Sequence, residues 1–212
     1  MKKILLLLTI TIFTFLLNGT LGVAENNALN NPAIERFKRQ FFLDNMVKEI
    51  EKESDVKIPN YVDMKYIEYM YSLSKELDIP IRLTFRLVFK ESSFIDNNVS
   101  VEGAYGFMQV MPDTRKLYMK RYSIDTLKLN QNQENIFIGM HMLRDMYDYW
   151  RIKGNNDIYS WKLCLACYNA GIVAVKLYNG VPPYKDTIDY IAYILQPPLK
   201  NIIDTKNYLA SE

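Results

Sequence analysis

The chain has 212 residues, 49% of them hydrophobic and 24% charged, with only 8 Gly and 8 Pro, a balance that excludes a disordered or collagen-like chain and fits a globular domain with its own core. Its 26 Lys and Arg stand against 24 Asp and Glu, so no basic surplus marks a nucleic-acid or anionic-membrane partner. The single histidine, His141, excludes metal sites that need two imidazoles and leaves any chemistry to carboxylates, amides and hydroxyls.

Residues 1–24 open with Lys2 and Lys3, continue as an apolar stretch over 4–17 and end in Gly22-Val23-Ala24, the layout of a cleaved signal peptide. Thr9, Thr11 and Thr14 interrupt the stretch, and it is shorter than the roughly 20 residues a membrane anchor needs. No cysteine follows the small residues, so a lipid anchor is not indicated. The expectation is export to the periplasm or cell envelope, with the membrane involved only through the signal peptide.

Downstream, apolar residues recur at helical spacing. Ile34, Phe37, Phe41, Met46 and Ile50 give one stripe, in an amphipathic N-terminal extension over 25–58. Met64, Ile67, Met70, Tyr71 and Leu77 give a second, and Leu83, Leu87 and Val88 a third after Pro80, a residue suited to a first helical turn. The tract Asn130-Gln131-Asn132-Gln133 reads as a polar loop leading into a helix. Further helices are expected over 113–121, 133–151, 158–169 and 184–195, separated by Gly154-Asn155-Asn156, Asn179-Gly180 and Pro182-Pro183. No run alternates strictly enough to demand a large sheet. The spacing therefore predicts a mainly α domain over 59–195 and a loosely attached tail over 196–212.

Glu91 follows the apolar helix expected over 81–89 and precedes Ser92-Ser93-Phe94. A carboxylate in the last turn of a helix faces the negative end of the macrodipole, which disfavours its ionised form. Apolar surroundings from Phe89 and Phe94 would add to this, leaving an acid still protonated near neutral pH and able to donate to a leaving oxygen. Alone, the residue also reads as a solvated glutamate beside Lys90. Its context is richer. Gly103 and Gly106 permit a loop that a ligand can approach closely. Tyr168 and Asn169 put a phenol and an amide at a helix end stopped by Gly171, and Asp186 and Tyr190 lie one helical turn apart.

Glu91-Ser92-Ser93-Phe94, Gly103-Ala104-Tyr105-Gly106-Phe107-Met108-Gln109-Val110-Met111-Pro112, Asn135 to Leu143 and Tyr168-Asn169-Ala170-Gly171, in that order and spacing, closely resemble the catalytic domain of the soluble lytic transglycosylases, lysozyme-like enzymes of bacterial murein. The resemblance covers about residues 60–195. It implies a mainly α, lysozyme-like α+β fold with a groove for a peptidoglycan glycan strand. It also implies that Glu91 is the sole catalytic acid and base, that Ser100, Gln109 and Met111 hold the sugar at the scissile bond, and that Tyr168 and Asn169 stand beside the glutamate. Asp186 and Tyr190 fall in the family's C-terminal motif. Two positions depart from the pattern: Asp186 replaces the usual, longer glutamate, and Phe107 the usual leucine.

Glycoside cleavage ordinarily uses two carboxylates, yet Asp96 and Glu102 read as solvated loop residues or caps. What the family implies is a substrate-assisted route. Glu91 protonates the glycosidic oxygen, the substrate's N-acetyl oxygen steadies the charge at C1, and Glu91 then takes a proton from the C6 hydroxyl, leaving a 1,6-anhydro-MurNAc end without metal or cofactor. Two alternatives stand beside it: a hydrolytic muramidase of the goose-lysozyme kind, and a catalytically weak peptidoglycan-binding or assembly module, to which Asp186 points. No motif specifies an assembly partner. Cys164-Leu165-Ala166-Cys167 lacks a second C-x-x-C or a βαβ context and is expected to pack in a buried helix. His141, amid Ile136, Ile138, Met140 and Met142, reads as structural, and Tyr147, Tyr149, Trp150 and Trp161 are candidates for outer sugar subsites.

Overall fold

The computed structural model describes residues 32–196. The expected signal peptide and the tail beyond Gln196 lie outside them. Among the described residues the chain forms helices α1 (Pro32–Ser54), α2 (Met64–Glu76), α3 (Ile81–Ser92), α4 (Pro112–Tyr122), α5 (Gln131–Ile152), α6 (Asp157–Ala170), α7 (Ile172–Leu177) and α8 (Lys185–Leu195), with a 3-10 turn at Ile124–Thr126. The mainly α expectation holds, and the β component is confined to isolated antiparallel bridges of Tyr105 with Val99 and Val110. None of these helices is long and apolar enough to cross a membrane.

The chain divides into two units after Asn45. In the first, Phe37 and Phe41 are exposed and stack on each other with ring centroids 6.5 Å apart. The second unit opens within α1, where Met46, Ile50 and Ser54 are buried. The first apolar stripe thus divides: Phe37 and Phe41 are exposed, Met46 and Ile50 are buried, and Ile34 is half-buried.

Local chemistry sets the helix starts. The Asp63 carboxylate accepts from the Lys65 amide (3.0 Å) at the head of α2, and the Asn156 side chain accepts from the Tyr159 amide (2.9 Å) at the head of α6. Asn130 and Gln133 form a reciprocal capping box on α5. The polar tract expected as a loop is therefore the cap and first turn of that helix. Pro80 stands at the N-cap of α3, one residue before the expected first turn. The short α7, absent from the expectation, holds only one buried residue, Val175.

At the centre lies α6, packed along α5 and against α8 and α7. Leu163, Cys164, Leu165, Ala166 and Cys167 are all buried, and apolar character on every side is what a fully enclosed helix requires. The Cys164 thiol reaches the Leu143 carbonyl of α5 at 3.3 Å. Both cysteines are free and buried. Helix α2 covers α5 and α3, while α8 packs against α3 as well as α6. These pairings bring the end of α3, the end of α6 and one face of α8 together.

Candidate active site

Six consecutive residues of α3, from Leu83 to Val88, are buried, so the helix runs into the interior and delivers Glu91 there in its last turn. Ser93 and Phe94 then stop it, both in the left-handed region (φ 51° and 62°). Such a pair costs about 1–2 kcal/mol per residue and is held by its surroundings. The Ser93 amide donates to the Phe89 carbonyl (2.9 Å), Tyr61 Oη donates to the Ser93 carbonyl (2.6 Å), and Phe94 turns inward to 1% exposure. Phe89, expected in an apolar pocket around Glu91, is 40% exposed instead.

Loop 98–111 folds over this helix end. Tyr105 and Val110 exchange their backbone bonds (3.1 and 3.0 Å), and the Gly106 amide donates to the Asn98 carbonyl (2.9 Å). Three helices pin the loop from beneath. The Ser92 hydroxyl of α3 donates to the Phe107 carbonyl (2.9 Å). Asn135 of α5 accepts from the Met108 amide (2.9 Å) and donates to the Tyr105 carbonyl (2.6 Å). Tyr168 Oη of α6 donates to the Met108 carbonyl (2.6 Å). Gly106 is required here on two counts: its φ is +78°, and a Cβ would lie 2.7 Å from Asn135 Cγ.

Of the residues expected to hold a sugar, Gln109 has φ 47° and donates from Nε2 to the carbonyls of Asn98 (3.1 Å) and Gly106 (3.0 Å). Ser100 donates to Glu102 Oε2 (3.0 Å) and accepts from the Ala104 amide (3.1 Å). Met111, at the N-cap of α4, presents a 42% exposed side chain.

Helix α8 supplies the facing wall. Its buried Tyr190 donates a short hydrogen bond from Oη to Glu91 Oε1. One turn earlier, Thr187 Oγ1 donates to Asn169 Oδ1 (2.8 Å), which ties α8 to the end of α6. Asp186 lies exposed in the first turn of α8, where a carboxylate suits the positive end of the helix dipole. Glu91, Tyr168 and Tyr190 thus come together, with Asn169 fixed by Thr187.

Burial pushes the Glu91 carboxyl from its ordinary 4.5 up to about 7, against the lowering influence of the Tyr190 hydrogen bond and the Lys90 charge. Burial and the Glu91 charge also hold the phenols of Tyr190 and Tyr168 well above the ordinary tyrosine range. The centre is therefore an acid that keeps its proton near neutral pH, with a neutral phenol bonded to it. Such a group can donate a proton to a leaving oxygen and take one back later.

The other candidate acids are occupied elsewhere: Asp96 accepts from Asn132 Nδ2 (2.8 Å) and Glu102 from Ser100. No cluster of three or more His, Cys, Asp or Glu among the described residues could hold a metal ion. His141 stacks on Phe137 (centroids 3.9 Å) with Nδ1 2.9 Å from the Phe137 carbonyl. Trp161 is buried and stacked on Tyr147 (4.2 Å), while Tyr149 packs edge-on against Trp150 (4.9 Å). Sequence reasoning gave no role to Asn135, Ser92 or Thr187. Asn135 carried no signal of its own, because it follows Gln131, Asn132 and Gln133 in the same polar first turns of α5.

The transglycosylase SLT domain model matches residues 68–191, more than half of the chain. The soluble lytic murein transglycosylases of Escherichia coli K12 and of Escherichia coli O157:H7 are each 31% identical to this chain over 143 residues, 66% of it and 20% of the relative. The chain thus spans about a fifth of the length of the curated relatives it matches. In fold it is similar to the X-ray structure of an inactive mutant of lytic transglycosylase Slt from Pseudomonas aeruginosa, with TM-score 0.51 and 21% identity over 70% of this chain and 25% of that one. The chain belongs to the transglycosylase SLT domain family.

Proposed function

We propose that this protein is a murein lytic transglycosylase that cleaves the β-1,4 bond between MurNAc and GlcNAc in peptidoglycan and leaves 1,6-anhydro-MurNAc ends. The observation that carries the reading is Glu91, a half-buried acid raised to about 7 and bonded to a neutral tyrosine. Protonated, it donates to the glycosidic oxygen. As carboxylate, it removes the C6 hydroxyl proton while the substrate's N-acetyl oxygen supports C1. Tyr190 orients Glu91 and Tyr168 fixes the loop opposite. Gln109, Ser100, Met111, Asn169 and Asp186 line the path of the glycan strand. The family membership and the murein transglycosylase relatives support this substrate.

The intramolecular hydroxyl is favoured over water because it is already in place, an advantage that reaches several kcal/mol, and Asp96 and Glu102 are engaged elsewhere. We assign residues 1–24 to export into the periplasm or envelope, 25–58 to an N-terminal extension, 59–195 to the catalytic domain and 196–212 to a tail. Digestion of purified sacculi with mass spectrometry of the released fragments tests the reaction. Anhydro ends, one water lighter and resistant to borohydride, are expected to dominate. Mostly reducible muramic acid ends would make the protein a hydrolase, and binding without release a module.

A further inference from the structure

Arg86 sits in the middle of the buried run of α3, only 2% exposed. A guanidinium carries five donors and a charge that burial penalises unless each is met. Here four of the five are met, from two directions. Nε donates to the Ser54 carbonyl (2.6 Å) and Nη2 to Asp55 Oδ2 (3.2 Å), at the end of α1. Nη1 donates to the Tyr193 carbonyl (3.1 Å) and, by a short bond, to the Gln196 carbonyl, at the end of α8. These carbonyls belong to the ends of helices, where no intrahelical donor remains for the final turn. All four partners lie outside residues 68–191, the span matched by the family model.

The position of this clamp matters to the acid. Arg86 precedes Glu91 by five residues on α3, and Tyr193 follows Tyr190 by three on α8. The two helices are thus joined twice, once by Arg86 on the α8 terminus and once by Tyr190 on Glu91. These two joints to α3, with the Thr187–Asn169 bond to α6, fix the axial position of α8. With one removed, a slip of a single residue is about 1.5 Å, enough to draw Tyr190 out of hydrogen-bonding range of Glu91.

We infer that Arg86 is a positioning residue for the catalytic acid, clamping the flanks of the matched domain so that α8 presents Tyr190 to Glu91. The inference rests on the assignment of Glu91 above, and it makes residues 54–55 and 193–196 part of the machinery that holds the site. Glu91 is faced by Tyr190 from α8, by Tyr168 from α6 and by Lys90 on its own helix. Burial raises the Glu91 titration and the Tyr190 bond lowers it, so a slip of α8 that breaks the bond while the carboxyl stays enclosed moves that titration to higher pH.

The test uses the full chain with Arg86→Lys, whose single ammonium cannot span both helix ends, together with Tyr190→Phe and the double variant. Glu91 is followed by carbon NMR of its carboxyl, a readout that needs no substrate and so stands or falls apart from the product assay. Arg86→Lys is expected to fold, to move the Glu91 midpoint upward as Tyr190→Phe does, and to lower kcat on sacculi about tenfold or more with KM within about twofold. The double variant is expected to match Tyr190→Phe alone. A folded Arg86→Lys protein with an unmoved Glu91 midpoint, or a double variant whose defects add, would overturn the inference. Should Arg86→Lys be recovered only unfolded, Asp55→Asn, which spares the backbone bonds, is expected to move the midpoint in the same direction, and an unmoved midpoint there overturns it equally.

Discussion

Replacing Glu91 by glutamine is expected to remove activity and to make the protein more stable at alkaline pH. The amide keeps the side chain's shape and still accepts from Tyr190 Oη, but it carries no transferable proton. The stability effect follows from the raised carboxyl. Below about pH 4.5, Glu91 is protonated in both the folded and the unfolded chain, so the substitution is nearly neutral. Between 4.5 and about 7 the unfolded chain releases the proton while the folded protein retains it, and the wild type loses stability as pH rises. Above 7 the deficit is complete. At 1.36 kcal/mol per pH unit between those two values it amounts to about 3 kcal/mol, or a melting shift of roughly 10 °C for a protein of this size. Urea titrations of both proteins at pH 4.5, 6 and 8 measure it, with sacculus clearing followed in parallel. A gap between the variant and the wild type that stays constant across pH would refute the burial argument for Glu91. Turnover by the variant within tenfold of wild type would remove Glu91 from its catalytic role.

Three further outcomes are expected. Gly106→Ala sets a side chain at φ +78° and a Cβ 2.7 Å from Asn135 Cγ, which should cost about 1–3 kcal/mol in thermal denaturation and lower kcat/KM by displacing Gln109. The Cys164→Ala, Cys167→Ala double variant should lose on the order of 1 kcal/mol per site and keep wild-type murein clearing. Burial holds both thiols above their ordinary pKa, so in the wild type neither should react with iodoacetamide until the chain unfolds. Thr187→Val removes the hydroxyl that fixes Asn169; kcat/KM on sacculi should fall while the denaturation midpoint moves by less than about 1.5 kcal/mol.

The parts of the site that were legible in the sequence are those where one residue type is the only physical solution. Gly106 marks a positive φ, and Gly171 stops α6 at φ 84°. Glu91 was legible because an acid at the end of an apolar helix is poor stability design. The hydrogen bonds between elements were not. Arg86 does not stand out within the Leu83, Leu87, Val88 stripe because its partners, three carbonyls and the Asp55 carboxylate, lie 31 or more residues away in the chain. Phe89 shows the converse error: nearness in sequence suggested a wall of the acid's pocket, but the helix turns its ring outward, and the tyrosines of α6 and α8 enclose the carboxyl instead. At Asn130 the composition read as loop was the capping box, because the same polar side chains serve both ends.

The three side chains beneath loop 98–111 bear on how the protein opens. An active-site loop commonly belongs to the least protected part of a fold and exchanges its amide hydrogens through small, local fluctuations. Here the Met108 amide is bonded to Asn135, and its carbonyl to Tyr168, while Phe107 is held by Ser92. Lifting the loop breaks bonds to α3, α5 and α6 together. The Met108 amide should therefore exchange with deuterium at the rate of the central helices, and the strand-like segment at Tyr105 and Val110 should unfold with the core as one cooperative unit.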